Sequence, residues 1–304
     1  MTEKQLLKNL QVPDRKVDVV LDTDAYNEID DQFAISYLLK SGDKLNTKAI
    51  YAAPFHNARS NGPEDGMLKS YDEILKLLNF LNISVPAFKG SVDFLHSETE
   101  PIVSDAANDL ISRAKNYSPE NPLYVVAIGA ITNVASALIM APEIAENLVI
   151  VWLGGHAQHF PHTKEFNMCH DYDAANVVLK SDAAFVQLPC LGVVSEFKIS
   201  KPELEYWLYD KNPLADYLSR ETVTEAEKYA SPTIPWTRVI WDVTAVAWLL
   251  NDDNKFMQTK ILPTPTVTKE GQYVYNEKAK PFCYVNYINR DALMNDLFKK
   301  ILNI

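Results

Sequence analysis

The sequence predicts an α/β fold: a largely parallel, Rossmann-like central sheet with helices on both faces. Three observations carry that expectation. Strand-length runs that are apolar on both faces recur over the first two thirds of the chain. Segments of helical hydrophobic period separate them, as βα alternation requires. An aspartate cluster and a Gly154-Gly155 turn fall at the carboxyl ends of such runs, where parallel sheets hold ligands.

The elements follow in order. Residues 17–21 (VDVVL) form the first run, and Asp30-Asp31 opens a helix over 30–40. Residues 48–53 (KAIYAA) read as a strand, followed by a helix over 66–81 in which Met67, Tyr71, Ile74, Leu75 and Leu78 keep the period. A short strand at 86–89 and a helix over 106–114 come next. Residues 123–128 (LYVVAI) run through Gly129 into a helix over 131–140, and 148–153 (LVIVWL) end at the glycine pair. The stretch 201–231 is helical but irregular, and 241–250 is an apolar helix opened by Asp242. A hairpin turning at Glu270-Gly271 joins 259–268 to 272–275, and a strand over 282–287 precedes a last helix from Arg290. With no repeat, no low-complexity linker and no shift in composition, one domain over 1–304 is expected.

Composition narrows the function. Hydrophobic residues make up 47% of the 304 and charged ones 23%, which suits a globular core. The 29 Lys and Arg against 40 Asp and Glu leave −11, a poor surface for nucleic acid or anionic lipid. Only 9 glycines occur, with no phosphate-cradling loop, so a neutral small-molecule substrate is expected. Cys169, Cys190 and Cys283 are far apart and form no CxxC pair, as in a reducing compartment. The N-terminal MTEKQLLKNLQVPDRK lacks a signal-peptide core, and no apolar run reaches membrane-spanning length, so a cytoplasmic location away from membranes is expected.

The stretch 17–34, VDVVLDTDAYNEIDDQFA, carries the chemistry. Asp22, Asp24, Asp30 and Asp31 converge on one strand-to-helix junction. Unpaired, such neighbours repel one another and raise each other's pKa. A hard divalent cation bound through oxygen keeps several of them ionised. Helix capping and amide binding account for one or two of these carboxylates, not for four.

This segment resembles the signature of the inosine-uridine-type nucleoside hydrolases, Asp-x-Asp-Pro-Gly-x-Asp-Asp after a first strand, with Asp22, Asp24, Asp30 and Asp31 as its aspartates. Val126-Ala127-Ile128-Gly129-Ala130-Ile131-Thr132-Asn133 is similar to the family's Pro-Thr-Gly-Pro-Leu-Thr-Asn stretch, and Leu153-Gly154-Gly155 to its Met-Gly-Gly turn. Glu165-Phe166-Asn167, then Asp171 and Ala174-Ala175, match Glu-Phe-Asn and Asp-Pro-Glu-Ala-Ala, and Asp242 matches a late aspartate. The resemblance implies a calcium-dependent hydrolase splitting a ribonucleoside, or a related N-riboside, into ribose and base. It implies that Asp24, Asp31, Asp242 and the Ile128 carbonyl hold the calcium ion and that Asp24 is the general base. Asp30, Glu165 and Asn167 would bind ribose hydroxyls, Leu153 would meet the sugar through its backbone, and Asp22 would orient the cluster from behind. A homodimer or homotetramer is likewise implied. The chemistry is coherent: an oxocarbenium-like sugar calls for flanking carboxylates, and calcium acidifies water too weakly to act without a base.

The chain departs from that pattern in three places. Five residues, 25–29, separate Asp24 from Asp30, and Glu28 adds a carboxylate. After the second strand, His56 or Asn57 stands where the family has an asparagine. Trp241 replaces a histidine that purine-cleaving members use to protonate the base; an indole can stack on a base but does not titrate. Arg238 and Trp236, just upstream, are candidates for a lid over the base. His156, His159, His162 and His170 fit no transition-metal spacing, and one of them could reach the substrate. Two other functions compete: a magnesium-dependent haloacid dehalogenase-like phosphatase, which also places Asp-x-Asp after a first strand, and a non-catalytic ribose-binding protein on the same fold.

Overall fold

The structure is a computed structural model that describes residues 1–231 and 233–304. In chain order the elements are α1 (Glu3–Asn9), β1 (Val17–Thr23), α2 (Asp30–Leu39), β2 (Leu45–Ala52), α3 (Pro63–Leu81), β3 (Ala87–Lys89), α4 (Asp105–Ala114), β4 (Leu123–Ala127), α5 (Thr132–Met140) and β5 (Leu148–Leu153). There follow α6 (Phe166–His170), α7 (Tyr172–Lys180), β6 (Ala184–Leu188), β7 (Lys198–Ser200), α8 (Lys201–Leu208), α9 (Pro213–Glu227), β8 (Thr237–Val239) and α10 (Val243–Trp248). The chain closes with β9 (Met257–Pro263), β10 (Thr266–Val267), β11 (Tyr273–Val274), β12 (Pro281–Ile288) and α11 (Arg290–Leu302).

One sheet of eight strands runs in the order β3-β2-β1-β4-β5-β6-β12-β9. Its pairs are parallel except β12 with β9. Successive side chains on a strand point to opposite faces, and the core divides accordingly. Val19 and Leu21 of β1, Tyr124 and Val126 of β4, and Val149 and Val151 of β5 join the core that α2, α3, α10 and α11 cover. Val20, Val125, Ile150 and Trp152 join the core under α4, α5 and α7. Helices therefore cover both faces, as the doubly apolar strands require. From β1 the strand order runs outward to β2 and β3 on one side and to β4, β5 and β6 on the other, so the β1/β4 boundary is a switch point. Such a boundary leaves a crevice at the carboxyl ends of its strands.

The predicted helices and long strands are present, with shifted ends. Pro63 opens α3 three residues before the predicted start, since proline is pre-set for a first helical turn. The helix α10 is shorter than the predicted 241–250. The predicted hairpin holds only at its tip, where β10 pairs with β11. Residues before it form β9, which pairs antiparallel with β12 and closes the sheet edge. Burial of Phe282, Cys283 and Val285 decides that pairing, and local turn chemistry cannot report it. The strand β6, read from sequence as no element at all, lies buried between β5 and β12. Among the described residues no helix is long and apolar enough to cross a membrane.

Candidate active site

The aspartates reach the crevice by three routes. Asp22 stands near the end of β1, in register with Tyr51 and Ala127, and Asp24 follows the strand directly. The loop after it turns back through an Asn27 N–H to Asp24 carbonyl bond of 2.7 Å, and Gln32 Nε2 clamps the Ala25 carbonyl at 2.8 Å. Asp30 and Asp31 then occupy the first turn of α2, where exposed peptide N–H groups favour negative charge. The third route is tertiary. Packing of α10 on α2 brings Asp242, at the start of α10, to the same point.

One carboxylate oxygen from each of Asp30, Asp31 and Asp242 lies within 4.8 Å of the others. Asp24 is beside them, close enough for mutual repulsion. All are at least 96% withdrawn from solvent, with Asp22 fully buried. Burial is the main force raising their pKa values, and like charges add to it for Asp24, Asp30 and Asp242. Asp22 and Asp31 are each pushed up to about 7. The second oxygens of Asp22, Asp24 and Asp31 are buried without a hydrogen-bond partner among the described residues. Buried carboxylate oxygens left unpaired are costly, and an all-oxygen donor set around them fits a hard divalent cation. The acidic group could therefore bind a metal.

A cavity of about 280 Å³ opens above this floor. It brings together Asp24, Asp30, Ile128, Leu153, Glu165, Asn167, Trp241 and Asp242 of the residues anticipated from sequence. Asp31 and Asp22 sit behind the lining. Glu165 caps α6: its carboxylate accepts from Gly155 N at 2.8 Å, Asn167 N at 2.9 Å and Met168 N at 3.0 Å, and burial still raises its pKa. Asn167 Nδ2 donates to the carbonyls of Ile128 (3.1 Å) and Leu153 (3.0 Å), which locks its amide across the ends of β4 and β5. A carbonyl has two lone pairs, so Ile128 keeps one free. Gly155 adopts φ +78°, and a Cβ there would meet Tyr273 Oη at 2.3 Å.

Other anticipated residues are outside this lining. His56 is exposed, and its carbonyl faces His170 Nε2 at 2.9 Å. Asn57 Nδ2 donates to Asn27 Oδ1 at 2.6 Å and faces a neighbouring cavity, as does Arg238, which pairs with Glu28 at 2.6 Å. The lining also includes residues to which the sequence assigned no part: Cys190 and Leu191, which follow β6 (Ala184–Leu188), a strand absent from the sequence reading, and Asn27, Lys164 and Phe166. The apolar run AFVQL over 184–188 is the signal that could have placed Cys190. The Cys190 thiol lies beside Glu165, and burial first, then the negative charge of Glu165, pushes it well above the usual thiol range. His156, in the lining, is buried, with Nδ1 unpartnered among the described residues and its pKa lowered by burial and by His162.

Asn133, matched in sequence without a role, holds the floor. Its Nδ2 donates to Asp22 Oδ1 at 2.7 Å and to the Ala52 carbonyl at 3.1 Å, while its Oδ1 accepts from Ser91 N at 2.7 Å and Ser91 Oγ at 2.9 Å. Asp171 does the same for the next turn, accepting from Thr132 Oγ1 (2.7 Å), Leu95 N (2.9 Å) and Ala174 N (2.8 Å).

A family model described as inosine-uridine preferring nucleoside hydrolase matches residues 19–295. The chain is 26% identical over 233 residues to the non-specific ribonucleoside hydrolase RihC of Salmonella typhimurium, covering 67% of this chain and 72% of that one. Its fold is similar to a plant nucleoside hydrolase with a TM-score of 0.76, at 19% identity over 95% of this chain and 99% of the other. A purine-preferring ribonucleoside hydrolase from Gardnerella vaginalis superimposes with a TM-score of 0.74, at 20% identity over 94% and 98%. At such identities the structural likeness speaks for the fold alone. The family match spans most of the chain: this protein belongs to the inosine-uridine preferring nucleoside hydrolases and is an N-glycosyl hydrolase.

Proposed function

We propose that the protein hydrolyses ribonucleosides to ribose and free base in a calcium-dependent reaction, with the chain working as one domain. The observation that carries the reading is the set of unpaired buried oxygens of Asp22, Asp24 and Asp31 beneath a cavity that also holds Glu165 and Asn167. Asp24, Asp31, Asp242 and the free lone pair of the Ile128 carbonyl would hold the ion; its charge, when bound, keeps these carboxylates ionised and polarises the attacking water. Oxygens of Asp30, Asp31 and Asp242 lie within 4.8 Å of one another, so Asp30 would contact the ion or a hydroxyl beside it.

Asp24 accepts the proton of the water that attacks C1′. Asp30, Glu165 and Asn167 orient the ribose hydroxyls, with Leu153 meeting the sugar through its backbone. The surrounding negative charge stabilises the positive sugar of the transition state. Asp22, tied to Asn133, keeps the end of β1 in place. Trp241 stacks on the base. The relatives named as ribonucleoside hydrolases support the substrate class.

A panel of purine and pyrimidine nucleosides, followed by release of free base with and without chelator, tests the proposal. Turnover that needs added calcium is the expected result. Turnover that chelator leaves unchanged rejects the metal, and no release from any nucleoside rejects the substrate class.

A further inference from the structure

The lining of the cavity includes Trp241 next to Asp242, and an indole does not titrate, so it cannot protonate a departing base. Cleavage of an N-riboside, as proposed above, leaves a poor leaving group that needs a partner. The wall formed by Asn27 and Glu28 is shared with a second cavity of about 370 Å³, lined also by Asn57, Arg59, Tyr229 and Arg238. The Glu28–Arg238 pair stands at that partition. It joins the lengthened aspartate loop, just before Asp30, to the segment that leads into Asp242. Arg238 lines the second cavity with its side chain 31% exposed, and among the described residues only its Nη2 is engaged, on Glu28, which leaves Nη1 donors open towards that cavity. A guanidinium with one edge on a carboxylate and a donor to spare can pair with a second planar group through its fork.

We propose that Arg238 is the leaving-group residue of this enzyme: its guanidinium takes up the negative charge of an oxo-bearing nucleobase seated towards the cavity beyond Glu28. The proposal deepens the hydrolase reading and rests on it. As the C1′–N bond breaks, its electron pair leaves with the base and spreads onto the ring carbonyl oxygens. Water forms the new C1′–O bond, and its proton passes to Asp24. The base departs as an anion against Arg238 and takes a proton from solvent, while Asp24 returns its own. Uracil- and hypoxanthine-type bases place charge on an oxygen beside a ring nitrogen, the geometry a guanidinium fork accepts; an adenine-type base offers no such oxygen.

The test compares the calcium-loaded protein with Arg238→Ala and Arg238→Lys on uridine, inosine and p-nitrophenyl β-D-ribofuranoside, whose nitrophenolate departs without assistance. Arg238→Ala is expected to lower kcat on both nucleosides by about 100-fold or more while changing the nitrophenyl riboside by less than about threefold. Arg238→Lys, which keeps the charge and loses the fork, is expected to regain at least about tenfold of that loss. Retained nitrophenyl riboside turnover also shows that the variants fold. Equal loss on all three substrates assigns Arg238 a structural part and overturns the proposal, as does an unchanged kcat on the nucleosides. Failure of the unsubstituted protein to cleave any of the three overturns the hydrolase reading instead.

Discussion

Asn133 and Asp22, on α5 and β1, meet at 2.7 Å, and every polar atom of the Asn133 amide is engaged. The bond holds the N-terminus of α5 against the strand that delivers the aspartate cluster. Asn133→Ala leaves Asp22, the Ala52 carbonyl and Ser91 N without their partner in a dry environment. A loss of about 1–3 kcal/mol in urea unfolding is expected. Unfolding midpoints equal to those of the unsubstituted protein would show that these groups find replacements.

Asp24→Ala is expected to lower kcat by about 100-fold or more on every nucleoside, because a general base is lost along with a carboxylate of the cluster. Trp241→Ala is expected to alter the ranking of nucleobases while leaving a measurable rate on the best of them. Steady-state kinetics over a nucleoside panel distinguish these patterns. Near-full activity in Asp24→Ala would move the base elsewhere.

The buried carboxylates make metal-free stability depend on pH. Asp22 and Asp31 are raised from 3.8 to about 7, so in that interval the folded protein holds protons that the unfolded chain has released. Stability of the chelated protein is therefore greatest on the acidic side and declines as the pH climbs through about 7. A cation selects the ionised forms, so its stabilising effect grows in the same direction. Melting temperatures between about pH 5 and about pH 8 are expected to fall in chelator and to fall less, or rise, with excess calcium. A chelated profile that rises with pH contradicts this account.

Gly155→Ala puts a Cβ at φ +78° against Tyr273 and Thr163. The strain amounts to about 1–3 kcal/mol, and the Gly155 N–H to Glu165 bond must shift with it. Reduced thermal stability together with a raised KM is the expected pairing. A stability loss with KM unchanged would separate the turn from the sugar site.

Much of this was legible along the chain because it is local. Asp22, Asp24, Asp30 and Asp31 belong to one strand–loop–helix unit, and the runs LYVVAI and LVIVWL are apolar on both faces wherever they pack. The strand β6 was missed because its residues 184–188 are short and contain Gln187, whose Nε2 donates to the Gly154 carbonyl and Tyr273 of distant segments. Cys190 went with it. The pairing of β9 with β12 was misread as a hairpin because turn residues report the nearest reversal, not the partner that buries the strand.

The chain by itself determined the layered α/β architecture and the kinds of side chain available for chemistry, since hydrophobic period and residue type are written locally. The tertiary structure decided which of those side chains meet. Asp242 reaches Asp30 and Asp31 only because α10 packs on α2, and Arg238 reaches Glu28 only because β8 lies beside the lengthened loop. Both contacts join segments some two hundred residues apart, and burial of shared apolar surface, not sequence spacing, brings such segments together.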